Sequence, residues 1–275
     1  MTEPLLKVDQ LSKTFSISSK RQNGTIQAVH DVSFSLFKGE TLGIVGESGS
    51  GKSTIAKMIL QLLHPTSGSI YYQGKEISTL SKRERKQMKA NVQAVFQDPY
   101  ASLNPRMKAK EIVTEPLTIH QGLANKDRTE RALGLLEEVG LGSQHLNRYP
   151  HEFSGGQRQR LSIARAIALK PDVIVCDEAV SALDVSTQAQ IVNLLKELQK
   201  NHGLSYLFIA HGLPVVNHIS DRVAIMKSGE LIEIGQTEQI FHEPTEAYTK
   251  LLLQAVPPSH PKDRHKTLLS EVNTK

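Results

Sequence analysis

An α/β fold is the first expectation: a mostly parallel sheet clothed by helices, with an N-terminal antiparallel β subdomain before it and an α-helical subdomain inserted into it. Three observations predict it. Short apolar runs alternate with helix-period stretches over residues 173–234, the pattern of a parallel sheet. Residues 5–15 and 27–37 carry period-two alternation (Leu6/Val8, Val32/Phe34/Leu36), which suits antiparallel strands with one buried face. Between the strand-bearing parts, residues 107–169 turn mostly helical.

Taken in order, the elements are these. The polar, Gly-containing stretch 16–25 predicts a hairpin-type loop between the first two strands. Thr41-Leu42-Gly43-Ile44-Val45 predicts a buried strand, and residues 55–60 a helix. Ser69-Ile70-Tyr71-Tyr72 predicts a strand closed by a Gln73-Gly74 turn, and residues 92–96 another strand. Residues 128–139 form an amphipathic helix with Ala132, Leu135, Leu136 and Val139 along one stripe. A second helix follows Ser154, carries Leu161, Ala164, Ile167 and Ala168, and is stopped by Pro171. Strands at 173–176, 206–210, 223–226 and 231–234 and a helix over 186–199 complete the pattern.

At 275 residues the chain has ample length for a buried core, in one large domain or two small ones. No basic start with an apolar run marks a secretory signal. Residues 201–220 carry no formal charge, yet His202, His211, Pro214, Asn217 and His218 make them strand, loop and helix start instead of a lipid-facing span. The single cysteine, Cys176, excludes an internal disulfide and a four-cysteine metal cluster; within Val173-Ile174-Val175-Cys176 it reads as a small buried hydrophobe. The net charge of +5 is modest, and its densest patch, residues 82–89, is broken by Glu84 and has no interleaved aromatic. It reads as a solvated helix face, and no nucleic-acid partner is expected.

The strongest motif is Gly46-Glu47-Ser48-Gly49-Ser50-Gly51-Lys52-Ser53-Thr54, which fits G-x-x-x-x-G-K-[ST] between a strand and a helix. A surface Gly/Ser loop preceding a lysine would match the pattern without those flanks. The glycines let successive N–H groups converge on one anion, and the new helix adds its unpaired amides and positive dipole end. Lys52 would reach the β- and γ-phosphates and Ser53 would bind Mg²⁺, so the chain is expected to bind a nucleoside triphosphate on a P-loop NTPase core.

Asp177 and Glu178 end a fully apolar strand, where a parallel sheet presents its ligand edge. Asp177 would hold the Mg²⁺ shell; Glu178 would orient or deprotonate the attacking water. Ser154-Gly155-Gly156-Gln157 opens a helix with two glycines where a helix should be gaining stability, so a plain N-cap does not explain it. It reads as a second anion-receiving helix start.

In this order the motifs resemble the ATPase subunits of ATP-binding cassette (ABC) transporters, over residues 5–256. The resemblance implies Phe15 for adenine stacking, Gly46–Thr54 as Walker A, Gln97 as the Q-loop glutamine near Mg²⁺, and Ser154–Gln157 as the signature. It further implies Asp177 and Glu178 as Walker B with its base, Ser181-Ala182-Leu183-Asp184 as the D-loop, and His211 as the switch histidine. It resolves the second helix start: two subunits, identical or different, pair head-to-tail and sandwich ATP between one Walker A and the other's signature.

Finer resemblance points to importers of oligopeptides, dipeptides or nickel. The residues carrying it are the segment 97–106, Pro150-His151-Glu152-Phe153 and the tail Pro244-Thr245-Glu246-Ala247-Tyr248-Thr249-Lys250-Leu251-Leu252. Implied partners are membrane permease subunits and, indirectly, a solute-binding protein, with the chain at the cytoplasmic face of the membrane. Segment 97–106, held in an exposed non-helical path by Pro99 and Pro105, would present Tyr100 and Leu103 to the permease.

The implied organisation is β subdomain and core over 1–97, helical subdomain over 98–169, core over 170–240, importer-type segment 241–256 and a loosely ordered tail 257–275. Ala179 and Gly212 depart from the family's proline and aspartate, which implies lowered activity at most. His64, His120, His145 and His242 lack metal-ligand spacing and are expected at the surface. The rivals are a soluble ABC ATPase working on DNA or the ribosome, and a P-loop kinase. The first would carry a long coiled-coil insertion or a second cassette; the second has no use for a Ser-Gly-Gly-Gln helix start.

Overall fold

Two β-sheets organise the computed structural model, which describes residues 3–19 and 22–255; the tail expected at 257–275 lies outside the described residues. The chain runs through β1 (Leu6–Ser19) and β2 (Gln22–Leu36), then β3 (Thr41–Val45) and α1 (Lys52–Ile59). It continues with β4 (Ser67–Tyr72), β5 (Lys75–Glu76), α2 (Lys82–Asn91) and β6 (Val92–Phe96). Four helices follow: α3 (Pro99–Ser102), α4 (Ala109–Gln121), α5 (Arg128–Glu138) and α6 (Gly155–Ile167). The rest is β7 (Val173–Asp177), α7 (Val185–His202), β8 (Ser205–Ala210), α8 (Leu213–Ile219), β9 (Arg222–Lys227), β10 (Glu230–Gln236), α9 (Thr237–His242) and α10 (Ala247–Gln254).

The first sheet is antiparallel, in the order β2-β1-β4-β5. The second has the order β10-β9-β3-β8-β7-β6, parallel throughout except for β10. Strands β3, β7 and β8 are buried along their whole length, which is why they read as unbroken apolar runs. The edge pair β9–β10 turns through Ser228 and Gly229, both at positive φ (48° and 89°), the geometry that matches strand twist in a tight hairpin. Helices α4, α5 and α6 pack on one another, with Ala132, Leu135, Leu136, Val139, Leu161 and Ala164 in their shared core.

Residues 201–220 form the end of α7, then β8, then α8. Among the described residues no helix is long and apolar enough to cross a membrane. The basic patch is α2, capped by Ser81, whose Oγ accepts from Glu84 N while Glu84 Oε2 accepts from Ser81 N. Only Met88 of α2 is buried, as a solvated helix face requires.

Three expectations are corrected. The stretch 16–25 is mostly strand, because β1 and β2 stay in register from Ser16↔Thr25 to Ser19↔Gln22. Ladder hydrogen bonds belong to the backbone and do not need apolar side chains. His145 is buried, with its ring 5.5 Å from that of Phe153 and Nδ1 accepting from Gly142 N at 3.1 Å. Finally, segment 97–106 contains the helical turn α3, because Asp98 caps Tyr100 N and Ala101 N and Pro99 suits a first helical position. That turn exposes Tyr100 but buries Leu103 in the core.

Candidate nucleotide site

Strand β3 delivers the glycine loop into α1, and two glycines there have no substitute. Gly51 sits at φ 99°, and a Cβ on it would stand 2.3 Å from the carbonyl oxygen of Ala28 on β2. A Cβ on Gly46 would stand 2.1 Å from the carbonyl oxygen of Met226 at the end of β9. The loop is thus wedged between the antiparallel sheet and the core sheet. Lys52 curls back into it, donating from Nζ to Gly46 O and Glu47 O at 2.7 Å each and to Ser50 Oγ at 3.2 Å. Burial pushes the Lys52 pKa down, opposed by the charges of Glu178, Asp177 and Glu47.

Asp177 ends β7 beside the first turn of α1. Ser53 Oγ donates to Asp177 Oδ1 at 2.8 Å. Burial pushes the Asp177 carboxyl up; the Ser53 hydrogen bond opposes that and the neighbouring Glu178 charge adds to it. Glu178 adopts a left-handed conformation (φ 52°) and is tied to β8 by its N–H, which donates to Ile209 O at 2.9 Å. Because Asp177 pairs with Ile209 across parallel strands, both chains leave the sheet side by side. His211 Nε2 consequently lies 2.5 Å from Glu178 Oε1, and His211 Nδ1 lies 3.3 Å from Gly46 O. A cavity of about 170 Å³ is lined by Ser48, Gly49, Gly51, Lys52, Ser53 and Thr54 of the loop, by Glu178 and His211, and by Ala28.

Gln97, at the end of β6, donates from Nε2 to Ser181 Oγ at 3.3 Å, and Ser181 Oγ donates to Glu178 O at 3.0 Å. The Gln97 side chain therefore reaches the Glu178 backbone through Ser181. Phe15 is exposed on β1 with Lys13 Nζ 5.3 Å from its ring centre, and is not among the cavity's lining residues.

Nor are Ser154, Gly155, Gly156 and Gln157. They form a reciprocal cap: Ser154 Oγ accepts from Gln157 N at 3.3 Å and Ser154 N donates to Gln157 Oε1 at 3.1 Å. A Cβ on Gly156 would stand 2.6 Å from Thr187 Cγ2, so that glycine lets α6 approach the start of α7. Within one chain the start of α6 therefore does not line the cavity that the start of α1 lines.

Ala28 carried no sequence signal, since it contributes a carbonyl that any residue would supply. Ala179 is buried, while a Cβ on Gly212 would find only ordinary contact, with Val215 Cγ2 at 3.9 Å. Cys176 is buried, and burial pushes its thiol up to about 12. It takes no part in the cavity.

Residues 29–181 match the family model described as ABC transporter, and residues 232–274 match that of the oligopeptide/dipeptide transporter C-terminal region. The chain is 50% identical to the oligopeptide transport ATP-binding protein OppF of Bacillus subtilis, over 94% of this chain and 84% of that protein. It is also 50% identical to the glutathione import ATP-binding protein GsiA of Escherichia coli, over 94% of this chain and 42% of that one. The dimeric ATP-binding cassette MJ0796, solved in a post-hydrolysis state with ADP and phosphate, superposes with a TM-score of 0.74 at 30% identity, over 84% of this chain and 98% of that one. The chain therefore belongs to the ABC transporter family, as an ATPase subunit with the C-terminal region of the oligopeptide/dipeptide group.

Proposed function

We propose that this subunit powers import of peptides through a membrane permease, working at the cytoplasmic face as one half of a head-to-tail ATPase dimer. One observation carries the chemistry: Lys52, Ser53, Glu178 and His211 meet in one cavity, with Asp177 bonded to Ser53. The half-identity to proteins named for oligopeptide and glutathione import favours a peptide over a nickel complex as cargo. The separation of the signature from the cavity supports the dimer, because the second helix start then has a nucleotide to serve only on a partner.

In this reading the loop amides and Lys52 bind the β- and γ-phosphates, Lys52 leaving the carbonyls of Gly46 and Glu47 to do so. The Ser53 hydroxyl and the Asp177 carboxylate, hard oxygens 2.8 Å apart, fit Mg²⁺, which would neutralise phosphate charge. Gln97, within reach through Ser181, would turn toward that ion when the site fills. Glu178 takes the proton of the attacking water, and His211 fixes the Glu178 carboxylate and senses the γ-phosphate. Phe15 would stack on adenine from the hairpin. The deciding experiment is purification from membranes with identification of the partners. Two permeases and a peptide-dependent rise in ATPase activity on reconstitution with a binding protein are expected. Recovery with ribosomes or DNA instead would sink the reading.

A further inference from the structure

The turn between β9 and β10 is bonded to the glycine loop on one side and to the antiparallel sheet on the other. Gly229 N donates to Ser50 O at 3.1 Å, and His30 N on β2 donates to Gly229 O at 2.8 Å. One residue of the turn therefore links β2 to the loop. His30 Nδ1 lies 2.9 Å from Glu230 Oε1 beside that link, but both side chains are exposed and the pair contributes little. Just before the turn, Met226 O leaves no room for a side chain at Gly46, so the end of β9 and its turn meet the loop at two points.

Ser50 is where the loop's own bonds meet. It is buried, its N–H donates to Glu47 O at 3.2 Å, and its Oγ accepts from Lys52 Nζ at 3.2 Å. A displacement of Ser50 therefore disturbs both the curl of the loop amides and the resting place of Lys52. Position 229 accepts only glycine without such a displacement. Its φ is 89°, and a Cβ there would stand 3.1 Å from Ala28 O and 3.2 Å from Ala28 C. The same carbonyl shuts out a side chain at Gly51. A side chain at 229 must push the turn off β2, and the Gly229–Ser50 bond moves with it. Gly39, between β2 and β3, is a matched contrast: its φ is 74°, an added Cβ would meet nothing within 4 Å, and its N–H goes to Ser205 Oγ and not to the loop.

We propose that Gly229 is a positioning residue for the phosphate loop: its N–H holds Ser50, and through it the shape in which the loop amides and Lys52 receive the nucleotide. The inference rests on the reading of this loop as the ATP site. It makes the β9–β10 turn a backbone link from the antiparallel sheet to the loop, acting on the nucleotide without touching it.

The test compares the full wild-type chain with Gly229→Ala and Gly39→Ala, using a fluorescent ATP analogue for affinity, steady-state ATPase kinetics and chemical denaturation. Both substitutions force alanine into a left-handed conformation, so both should lower the denaturation midpoint. Only Gly229→Ala should weaken nucleotide affinity, by about three- to tenfold, the range that one neutral hydrogen bond supplies. That loss should appear in KM for ATP, whereas a merely structural role would lower the active fraction and hence kcat at unchanged KM. Unchanged affinity in Gly229→Ala, or an equal loss in Gly39→Ala, would overturn the proposal. A second measurement needs no variant. Amide hydrogen exchange at Gly229 in the wild type, read by NMR, should slow by about threefold or more when the analogue binds, because the loop that holds this N–H is then fixed. An exchange rate that the analogue leaves unchanged would overturn the proposal too. If the wild-type chain bound no analogue, the site reading itself would fall, which separates the two failures.

Discussion

His211 Nε2 and Glu178 Oε1 stand 2.5 Å apart, on residues that leave two adjacent parallel strands together. The pair faces a cavity whose other wall is the glycine loop, so a carboxylate, an imidazole and an ammonium share one small space. If Glu178 takes the proton of the attacking water, Glu178→Gln should keep ATP binding and lower turnover about 10²- to 10⁴-fold. Lys52→Ala should instead abolish activity through binding, since no other loop residue supplies positive charge. Single-turnover kinetics with nucleotide affinity measured in parallel separates the two. Near wild-type hydrolysis by the Gln variant would remove Glu178 from the role of base.

The segment after Gln97 yields a sharper prediction than its sequence suggested. Tyr100 is 56% exposed, with its ring 5.7 Å from the Arg158 guanidinium carbon just beyond the signature. Arg165 Nη1 also donates to Ser102 O at 2.7 Å, so α3 is tied to α6 at two points. Tyr100→Ala should impair transport in the assembled importer and spare the ATPase activity of the isolated subunit. Leu103, by contrast, is 2% exposed, and Leu103→Ala should destabilise the fold by about 2–5 kcal/mol. Chemical denaturation distinguishes them: a midpoint shift for Leu103→Ala alone is expected. Equal loss of transport and ATPase activity in Tyr100→Ala would make the segment merely structural.

The cavity was legible because its walls draw on particular residue types at fixed spacing. A strand, a glycine loop and a helix announce its loop wall, and two acids at the end of an apolar strand announce the carboxylates beside it. What the sequence hid depends on backbone atoms or on distant packing. The Ala28 carbonyl that shuts out a side chain at Gly51 has no residue-specific signature. The burial of His145 against Phe153 and of Leu103 in the core is decided by neighbours brought in from other elements. The long β1–β2 ladder is carried by the backbone through residues whose polarity suggested a loop.

Cys176 gives a prediction from its pKa. Burial, with Asp177's charge adding to it, pushes the thiol up to about 12 in the folded chain. At pH 8 the native protein should therefore react with iodoacetamide about a thousandfold more slowly than the urea-unfolded chain, whose thiol has a pKa of about 8.5. The raised value also fixes a sign for stability. The contribution is complete below about pH 8.5 and is lost as pH rises toward about 12, since only the unfolded thiol ionises in between. Rapid labelling of the native protein at pH 8 would show that the strand opens readily.

Because residues 154–157 do not line the cavity, the strongest test is one of complementation, in the case where the isolated chain pairs with itself. Take Lys52→Ala and Ser154→Arg as separate proteins. Each homodimer should be inactive, the first with two broken phosphate loops and the second with two broken signatures. A mixed dimer holds one site with both defects and one with neither, because the intact Lys52 of one chain faces the intact Ser154 of the other. Mixing two inactive proteins should then restore hydrolysis, up to about a quarter of the wild-type rate if pairing is random and each intact site fires alone. That fraction follows from statistics: half the dimers are mixed, and each has one working site of two. Within a single chain the signature lies outside the cavity, where its Ser154 and Gln157 cap each other. No mixture could recover activity if that chain served its own nucleotide with both loops. A flat result, with mixed dimers demonstrated by mass spectrometry and each chain shown to bind its nucleotide or its partner as expected, would reject independent sites sandwiched between chains.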